Sequence, residues 1–439
     1  MKHNLSHLML IALDMLAVFL SITLAYFTRI ALEPYLPNAF DEHFVSYTNK
    51  LLIYLVVFAT FYYEGIYTKR YDFWHESRQV IKSLMLSLLL ILSFLAVTKT
   101  IGHYSRVVII FSFVYMAFFI PLFKNIFKKF LFRIGLWQRE AKIFGDDEFL
   151  KKEIFQNHYL GYVQSDDGNA KTVFINSSSL TIDELKSSID QEIRTTNEVI
   201  FIPIINDYNM TQSSIYELSN TRTNLVVFTN KLKSRSRLIL QTIFNYLLVL
   251  ILTPIVLPVI AVLAFFIKRE SHGPIFFSHN RIGKDGKTIP TYKFRSMYSD
   301  ATQRLEKLLA EDEEIKKEWE INFKLKNDPR VTKIGLFLRK TSLDELPQIF
   351  NVLKGEMNFV GPRPVLQEEL DLYYKEDTEY YNMVKPGITG LWQVSGRSDT
   401  DYAFRVATDK WYVRNWSLWL DLVILLKTVK VVLFRQGAY

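Results

Sequence analysis

Two adjacent carboxylates, Asp344 and Glu345, mark the stretch of this chain with the clearest capacity for chemistry. They lie in Thr341-Ser342-Leu343-Asp344-Glu345-Leu346-Pro347-Gln348. Ser342 and Glu345 have the spacing of a capping box, and Pro347 is tolerated only close to a helix N-terminus. We therefore expect the acids in the first turn of a helix, where unpaired N–H groups keep Asp344 ionised and favour a phosphate. Taken alone, however, the octet is better explained as a well-capped helix.

Further blocks surround the octet in a definite order. They are Asp328-Pro329-Arg330-Val331-Thr332, Ile334-Gly335, Leu338-Arg339-Lys340, Leu353-Lys354-Gly355-Glu356-Met357, Val360-Gly361-Pro362-Arg363-Pro364 and Lys385-Pro386-Gly387-Ile388-Thr389-Gly390-Leu391-Trp392-Gln393. In this order and spacing the set closely resembles the bacterial sugar transferase family, the polyprenyl-phosphate hexose-1-phosphate transferases, over residues 235–439. The resemblance implies transfer of a sugar-1-phosphate from a nucleotide diphosphate sugar to a membrane polyprenyl phosphate.

The resemblance also implies roles for the acid pair. It makes Asp344 the nucleophile and Glu345 the support for Mg²⁺. Both roles are chemically sound, because a carboxylate can act as the nucleophile in phosphoryl transfer. Magnesium, moreover, binds one or two carboxylates together with substrate phosphate oxygens.

Basic residues near the pair predict a site for the substrate phosphates. The candidates are Lys293, Arg295, Arg339 and Arg363. Lys293 and Arg295 alternate with aromatic residues on a predicted strand, so they should share one face. Arg339 precedes the acids, and Arg363 stands between two prolines. Both arginines suit bidentate contact with phosphate.

Other single residues carry a weaker signal. Arg397 and Asp409 lie in blocks that resemble the family and could line the nucleotide or sugar pocket, although a structural ion pair explains them equally well. His272 and His279 have no partner at metal-ligand spacing, so we expect both to be structural.

The composition indicates a membrane protein with more than one domain. The 439 residues are 49% hydrophobic and 15% aromatic, and the apolar residues come in long blocks. A net charge of +8 suits anionic lipids or phosphorylated substrates, and we set nucleic acid aside because no binding motif for it occurs. The absence of cysteine excludes disulfides, Cys-ligated zinc and a thiol nucleophile.

Four apolar segments predict membrane spans in the N-terminal part. They are residues 8–27, 47–63, 80–98 and 107–123. Basic residues after the second and fourth segments place those ends in the cytoplasm, so both ends of the bundle should be cytoplasmic. Asp14 lies within the first segment, near its cytoplasmic end, where we expect packing or a lipid-headgroup contact.

The region from 136 to 230 predicts a small parallel-sheet α/β domain. Apolar runs at Ala141–Phe144, Val199–Ile202 and Leu225–Phe228 predict strands, and a helical pattern is expected around Ile215–Leu218. The Gly-x-Gly-x-x-Gly of a dinucleotide fold is missing. The domain resembles the degenerate Rossmann-like module of larger family members, which implies regulation or assembly.

The charge-free segment Leu238–Ile267 predicts a membrane helix that returns to its own side. As a straight helix it would be ~45 Å long, against a hydrocarbon core of ~30 Å. Basic residues flank both ends, and Thr253, Pro254 and Pro258 lie inside. A crossing would also carry the acid pair away from cytoplasmic nucleotide sugars. We therefore predict a re-entrant helix that breaks at these residues, as the resemblance also implies.

These observations combine into one architecture. We predict a multi-domain integral membrane protein with an all-α four-helix transmembrane bundle (1–135), a small degenerate Rossmann-like α/β domain (136–230) and an α-rich membrane-interface catalytic domain (231–439). The resemblance implies a UDP-sugar, with galactose or glucose, and undecaprenyl phosphate as substrates. It also implies a place in the bacterial inner membrane among its lipids, a cytoplasmic catalytic domain, synthesis of O-antigen, capsule or exopolysaccharide, and a homodimer.

Two alternative functions remain open at this point. Membrane-anchored nucleotide-sugar dehydratases join a bundle to a Rossmann domain and use a Tyr-x-x-x-Lys pair. Tyr381 and Lys385 have that spacing, but Pro386 follows them and the Gly-rich loop is missing. A non-catalytic scaffold for polysaccharide assembly is the second alternative, and the intact acid pair with its cations argues against it.

Overall fold

The computed structural model describes most of the chain. The described residues are 2–36, 40, 43–48, 50–100, 104–144, 148–165, 170–177, 180–202, 210, 213–218, 223–311, 325, 328–396 and 401–433. The chain divides into two compact units, Met1–Asn206 and Asp207–Tyr439. Four helices in the described ranges are long and apolar enough to cross a membrane: Leu5–Ala31, Phe73–Val97, Arg106–Arg133 and Arg235–Glu270.

The first unit begins with a helical bundle. Its helices are α1 (Lys2–Ala31), α2 (Phe44–Thr48), α3 (Leu51–Tyr63), α4 (Phe73–Val97) and α5 (Arg106–Arg133). Apolar residues of α1, α3, α4 and α5 share one buried core, as the prediction of a four-helix bundle requires. The second predicted segment is divided, however, into α2 and a 13-residue α3. Lys50 precedes α3 and places its ammonium 3.9 Å from the ring centroids of Tyr47 and Tyr104. Since α3 is only ~20 Å long, it is shorter than a typical span.

The bundle buries four charged side chains near its predicted cytoplasmic end. Lys124 Nζ lies 3.1 Å from Asp14 Oδ2 and 3.2 Å from Glu76 Oε1, and Lys128 pairs with the other oxygen of Glu76. All four side chains are 1% exposed. Tyr159 donates to Glu76 across 2.9 Å. Asp14 therefore packs against protein groups and ties α1 to α5.

A small parallel sheet completes the first unit. It contains β1 (Arg139–Phe144), α6 (Glu148–Phe155), β2 (Tyr162–Gln164), β3 (Thr172–Asn176), α7 (Ile182–Glu192) and β4 (Glu198–Ile202). The strand order is β2-β1-β3-β4 and every pairing is parallel, which confirms a small parallel sheet.

The prediction of a helix around Ile215–Leu218 is wrong. Ser214–Leu218 is β5, which pairs antiparallel with β6 (Thr223–Val227), and both strands belong to the second unit. A window of about five residues is too short for its hydrophobic pattern to separate a helical period from a strand period.

The second unit carries the acid pair. From residue 235 onward its α-helices and strands are α8 (Arg235–Glu270), β7 (Phe276–Ile282), β8 (Thr288–Phe294), α9 (Ala301–Glu311), α10 (Lys333–Thr341), α11 (Ile349–Leu353), β9 (Asn358–Val360), α12 (Thr378–Asn382), β10 (Gly387–Thr389), α13 (Tyr402–Arg414) and α14 (Leu418–Leu433). Short helical turns are Glu33–Tyr35 in the first unit and, in the second, Lys231–Lys233, Lys284–Gly286, Leu343–Gln348, Gln367–Glu369, Leu370–Tyr374, Lys375–Asp377 and Trp392–Val394. Strands β7 and β8 pair antiparallel and form a hairpin.

Helix α8 packs one face against the rest of this unit along both of its halves. The buried residues are Gln241, Asn245, Val249, Ile260, Leu263 and Ile267. Polar groups near its start are bonded to the unit, since Asn245 Oδ1 accepts from Phe359 N across 2.9 Å. None of the residues 250–259 is buried. Thr253, Pro254 and Pro258 lie inside one continuous helix, so a break at these residues stays a prediction.

Candidate active site

Helix α10 is anchored so that it delivers Arg339 and the acid pair beside β8. Thr332 Oγ1 accepts from Gly335 N, and the Glu270 carboxylate accepts from Lys333 N and Ile334 N across 2.7 and 2.9 Å. A side chain at Gly335 would overlap the Ser296 carbonyl, so glycine lets the helix lie directly on this segment.

The capping box predicted for Ser342 and Glu345 does not form. Ser342 has left-handed backbone geometry (φ 56°), and its N–H bonds to Arg339 O, so it ends α10. Its side chain makes no cap bond to the following turn. The acids nevertheless lie in the first turn of a helical segment, as predicted, because the 3₁₀ turn Leu343–Gln348 runs straight into α11.

The side chain of Asn351 fixes α11 against β8. Its Oδ1 accepts from Tyr292 N across 3.0 Å, and its Nδ2 donates to Pro290 O across 2.6 Å. Asn351 is fully buried, so these bonds hold the strand that carries Lys293 beside the acid-bearing turn.

Two cations converge on Glu345. Lys293 Nζ lies 2.7 Å from Glu345 Oε1, and Arg363 Nη2 donates to the same oxygen across 3.0 Å. Lys293 Nζ is 3.5 Å from Asp344 Oδ2. The side chains of Asp344 and Glu345 are 17% and 16% exposed, so substrate can reach both.

The pair is electrostatically asymmetric. Burial raises the pKa of Glu345, but Arg363 and Lys293 outweigh it and hold the value at about 2. Burial also raises the pKa of Asp344, and the opposing charge of Lys293 does not restore its ordinary value, partly because Glu345 is negative. The helix terminus was expected to favour the ionised form of Asp344, but burial has the larger effect and raises its pKa. Glu345 is the fixed charge and Asp344 the more basic group.

Three of the four predicted phosphate ligands lie at the acid pair, and the fourth, Arg295, does not. Lys293 and Arg363 contact the acids, and Arg339 lies close enough to lower the pKa of Asp344 while its Nε donates to Ser296 Oγ across 3.0 Å. Arg295 points elsewhere. Its guanidinium donates to Ser271 O and His272 O, each across 2.7 Å, and so closes the C-terminal end of α8.

Asp409 and Tyr381 are buried structural groups. Asp409 is 3% exposed and accepts from Tyr374 across 2.6 Å, and its burial raises its pKa to about 6. Tyr381 is 2% exposed and donates to Ile282 O across 2.7 Å, so it is not placed as the acid of a dehydratase. Arg397 lies outside the described residues.

Three polar residues that the sequence did not lead us to assign to the site also adjoin it. Arg281 and His279 lie on the face of the β7–β8 hairpin that carries Lys293, because His279 opposes Thr291 and Arg281 opposes Ile289. Glu369 binds Arg281 Nη1 across 3.0 Å. Period-two alternation along β7 would have placed His279 and Arg281 together, but only the strand register puts them beside Lys293.

The acid pair fits a magnesium ion only when substrate completes the site. Throughout the described ranges, no group of three or more His, Cys, Asp or Glu side chains could hold a metal. Asp344 and Glu345 can offer two carboxylates, and two cations already neutralise Glu345. This donor set suits Mg²⁺ that arrives with phosphate oxygens and water among its ligands.

Comparison with known proteins gives a consistent result. Residues 236–435 match the family described as bacterial sugar transferase. The undecaprenyl-phosphate galactose phosphotransferase of Salmonella typhimurium is 33% identical over 97% of this chain and 94% of its own length. The UDP-galactose-lipid carrier transferase of Erwinia amylovora is 34% identical over 85% and 84%. A UDP-glucose:undecaprenyl-phosphate glucose-1-phosphate transferase of Klebsiella pneumoniae is 38% identical over 58% and 53%.

Proposed function

This chain belongs to the bacterial sugar transferase family, and we propose that it transfers a hexose-1-phosphate, of galactose or glucose, from a UDP-sugar to undecaprenyl phosphate, releasing UMP. It is a sugar-1-phosphate transferase of polysaccharide synthesis and a membrane protein. The observation that carries the proposal is the asymmetric acid pair, in which two cations hold Glu345 and leave Asp344 the more basic carboxylate.

Asp344 is the nucleophile in the first step. One of its oxygens bonds to the sugar-bearing phosphorus, the bond from that phosphorus to the bridging oxygen breaks, and the electron pair leaves on UMP. In the second step an oxygen of the lipid phosphate attacks the same phosphorus and the Asp344 carboxylate departs. The product is a sugar diphosphate on the lipid.

A covalent intermediate suits the two substrates. The nucleotide sugar comes from water and the acceptor phosphate from the membrane, so one carboxylate can serve them in turn without holding both at once. Ping-pong kinetics should follow.

The cations around the acids provide the electrostatic part of catalysis. Lys293, Arg339 and Arg363 are placed to bind phosphate oxygens as charge moves between them. Magnesium, held by Glu345 together with the substrate phosphates, would neutralise further diphosphate charge. In the absence of substrate, ion pairs with Glu345 keep Lys293 and Arg363 in position.

The placement of these groups on the membrane completes the proposal. Both ends of the bundle face the cytoplasm, α8 enters and leaves the same leaflet of the inner membrane, and the acids therefore meet cytoplasmic nucleotide sugars. We also propose that the protein works as a homodimer, as the resemblance to larger family members implies.

A panel of UDP-sugars tests the function. Purified full-length protein in lipid nanodiscs with undecaprenyl phosphate should release UMP from UDP-galactose or UDP-glucose, whereas Asp344→Asn should release none. UMP release from no sugar in the panel by the wild-type protein would favour the scaffold alternative. Equal release by Asp344→Asn would remove Asp344 from the chemistry.

A further inference from the structure

A second carboxylate with its own cations adjoins the acid pair. Glu369 Oε1 accepts from Arg281 Nη1 and Leu366 N, each across 3.0 Å. Glu369 Oε2 accepts from the Tyr402 hydroxyl across 2.6 Å and lies 3.6 Å from Arg405 Nη1. Three hydrogen-bond donors and the charge of Arg405 thus fix this carboxylate, and it in turn fixes the direction of the Arg281 guanidinium.

Arg281 lies on the same face of the β7–β8 hairpin as Lys293, but nearer the turn. Lys293 opposes Phe277 at the end where β7 follows α8, whereas Arg281 opposes Ile289, four residues earlier on β8. Four residues of strand correspond to ~13 Å. The row of cations therefore leads from the acid pair away from the end of α8, the helix proposed to enter the membrane.

Arg363 continues the row between these two cations. It shares Glu345 Oε1 with Lys293. Burial lowers the pKa of Arg281, Glu369 opposes this, and the positive charges of Arg363 and Arg405 lower it further, so Arg281 lies within electrostatic reach of Arg363. The backbone keeps the two close, because Ile282 N donates to Val365 O across 2.9 Å.

We propose that Arg281 binds the phosphate that stays on the nucleotide, the leaving group of the first step, and that Glu369 is its positioning residue. The inference rests on the proposed function. Asp344 marks the sugar-bearing phosphorus, and Lys293 and Arg363 already contact the adjacent Glu345. Arg281 is the next cation of the row and is 25% exposed, which leaves it open to the second phosphate of the nucleotide sugar. A cation there stabilises the negative charge that the bridging oxygen acquires when its bond to phosphorus breaks.

Direct binding of UMP tests the inference without requiring turnover. Calorimetry on full-length protein in nanodiscs should show roughly 10- to 100-fold weaker UMP binding for Arg281→Gln, because a charged hydrogen bond to phosphate is lost. Lys287→Gln, which removes an exposed lysine from the same hairpin, should bind UMP like wild type. Tyr402→Phe should weaken binding less, since Glu369 keeps its other donors.

The two half-reactions give a second readout. Arg281→Gln should slow UMP release from the UDP-sugar. It should also slow transfer of the sugar phosphate from the protein to lipid, because the acceptor attacks in line from the position that UMP leaves. If Arg281→Gln lowers the melting temperature, Arg281→Lys replaces it, because lysine keeps a charge for Glu369 but lacks the guanidinium fork.

The possible outcomes separate the two claims. Unchanged UMP affinity in Arg281→Gln and Arg281→Lys, or UMP release from the UDP-sugar at the wild-type rate in both variants, overturns the role of Arg281 and leaves the proposed function standing. Wild-type protein that does not bind UMP overturns the proposed function itself.

Discussion

At the scale of single residues, the two acids differ because of their neighbours. Glu345 is neutralised by Lys293 and Arg363, whereas Asp344 has one longer contact, to Lys293. A carboxylate with a raised pKa is a stronger nucleophile once it is ionised, and one with a lowered pKa is suited to remain a fixed charge.

This difference predicts opposite effects of two isosteric substitutions on stability. The folded pKa of Glu345 is depressed from 4.5 to about 2, so its ionised form stabilises the fold at pH values above the unfolded pKa. Glu345→Gln should lose this stabilisation, which lowers the free energy of unfolding by up to about 3 kcal/mol at pH 7. The folded pKa of Asp344 is raised, so its ionisation opposes folding at neutral pH, and Asp344→Asn should be at least as stable as wild type.

Thermal unfolding at pH 7 measures both variants in the absence of substrate. The Glu345→Gln variant should melt at a lower temperature than wild type, and Asp344→Asn at the same or a higher one. The reverse order would show that the assignment of the fixed charge is wrong.

The arginines predict a loss of rate that charge alone does not restore. Arg363→Ala or Arg339→Ala should cost a few kcal/mol of transition-state stabilisation, on the order of a hundredfold in rate. Arg339→Lys should not recover it, because an ammonium cannot reproduce the bidentate fork. Steady-state UMP release measures this, and near-normal turnover in either alanine variant removes that arginine from the site.

Residue types and spacing predicted the acid pair and three of its cations, but not the destination of Arg295. Arg295 alternates with Lys293 as a second phosphate ligand would, yet the end of α8 takes its guanidinium. Whether an arginine binds substrate or a helix terminus depends on which helix ends beside it in the folded protein. The alternation of residues along one strand does not contain that information.

At the scale of elements, long apolar segments were predicted well and short ones poorly. Helices α1, α4, α5 and α8 lie where long apolar segments predicted them. Ile215–Leu218 was predicted to be helical but lies in a strand. The pairing of Asp14 and Glu76 with lysines of α5 could not be predicted, because these residues lie far apart in sequence and meet only when the bundle packs.

This buried cluster predicts a strong dependence of the first unit on Glu76. Glu76→Gln would leave Lys124 and Lys128 with too little negative charge among buried groups, at a cost of about 3–5 kcal/mol. Glu64→Gln is the control, because Lys82, its partner, is 64% exposed and such a pair contributes ~1 kcal/mol or less. Thermal unfolding in detergent should show a far larger loss for Glu76→Gln, and equal losses would contradict the account.

At the scale of the whole molecule, the course of α8 decides on which side of the membrane the acids lie. Gln241 reaches Asp421 near the start of the helix, and Glu270 holds α10 at its end. Both ends thus bond to one compact unit, although 29 residues of straight helix would separate them by ~44 Å. A helix bent near Pro254 and Pro258 would bring both arms to the same unit.

Cysteine labelling tests this course, because the chain has no cysteine of its own. Ser236 and His272 are exposed at the two ends of α8, whereas Ser271 is buried against Arg295. An impermeant thiol reagent applied to intact cells should modify neither Ser236→Cys nor His272→Cys. It should modify the control Tyr35→Cys, in the first loop that we predict to be external. Modification of His272→Cys alone would establish a crossing.

The covalent step on Asp344 is the central claim, and one measurement tests it most directly. Full-length protein is mixed, without lipid acceptor, with a UDP-sugar labelled separately in the sugar and the uridine, and the protein is then isolated. Wild type should release UMP and retain the sugar label but not the uridine label, and Asp344→Asn should retain neither. If wild type releases no UMP until undecaprenyl phosphate is added and never carries the sugar label, the acceptor attacks directly, and Asp344 is a general base or a metal ligand instead.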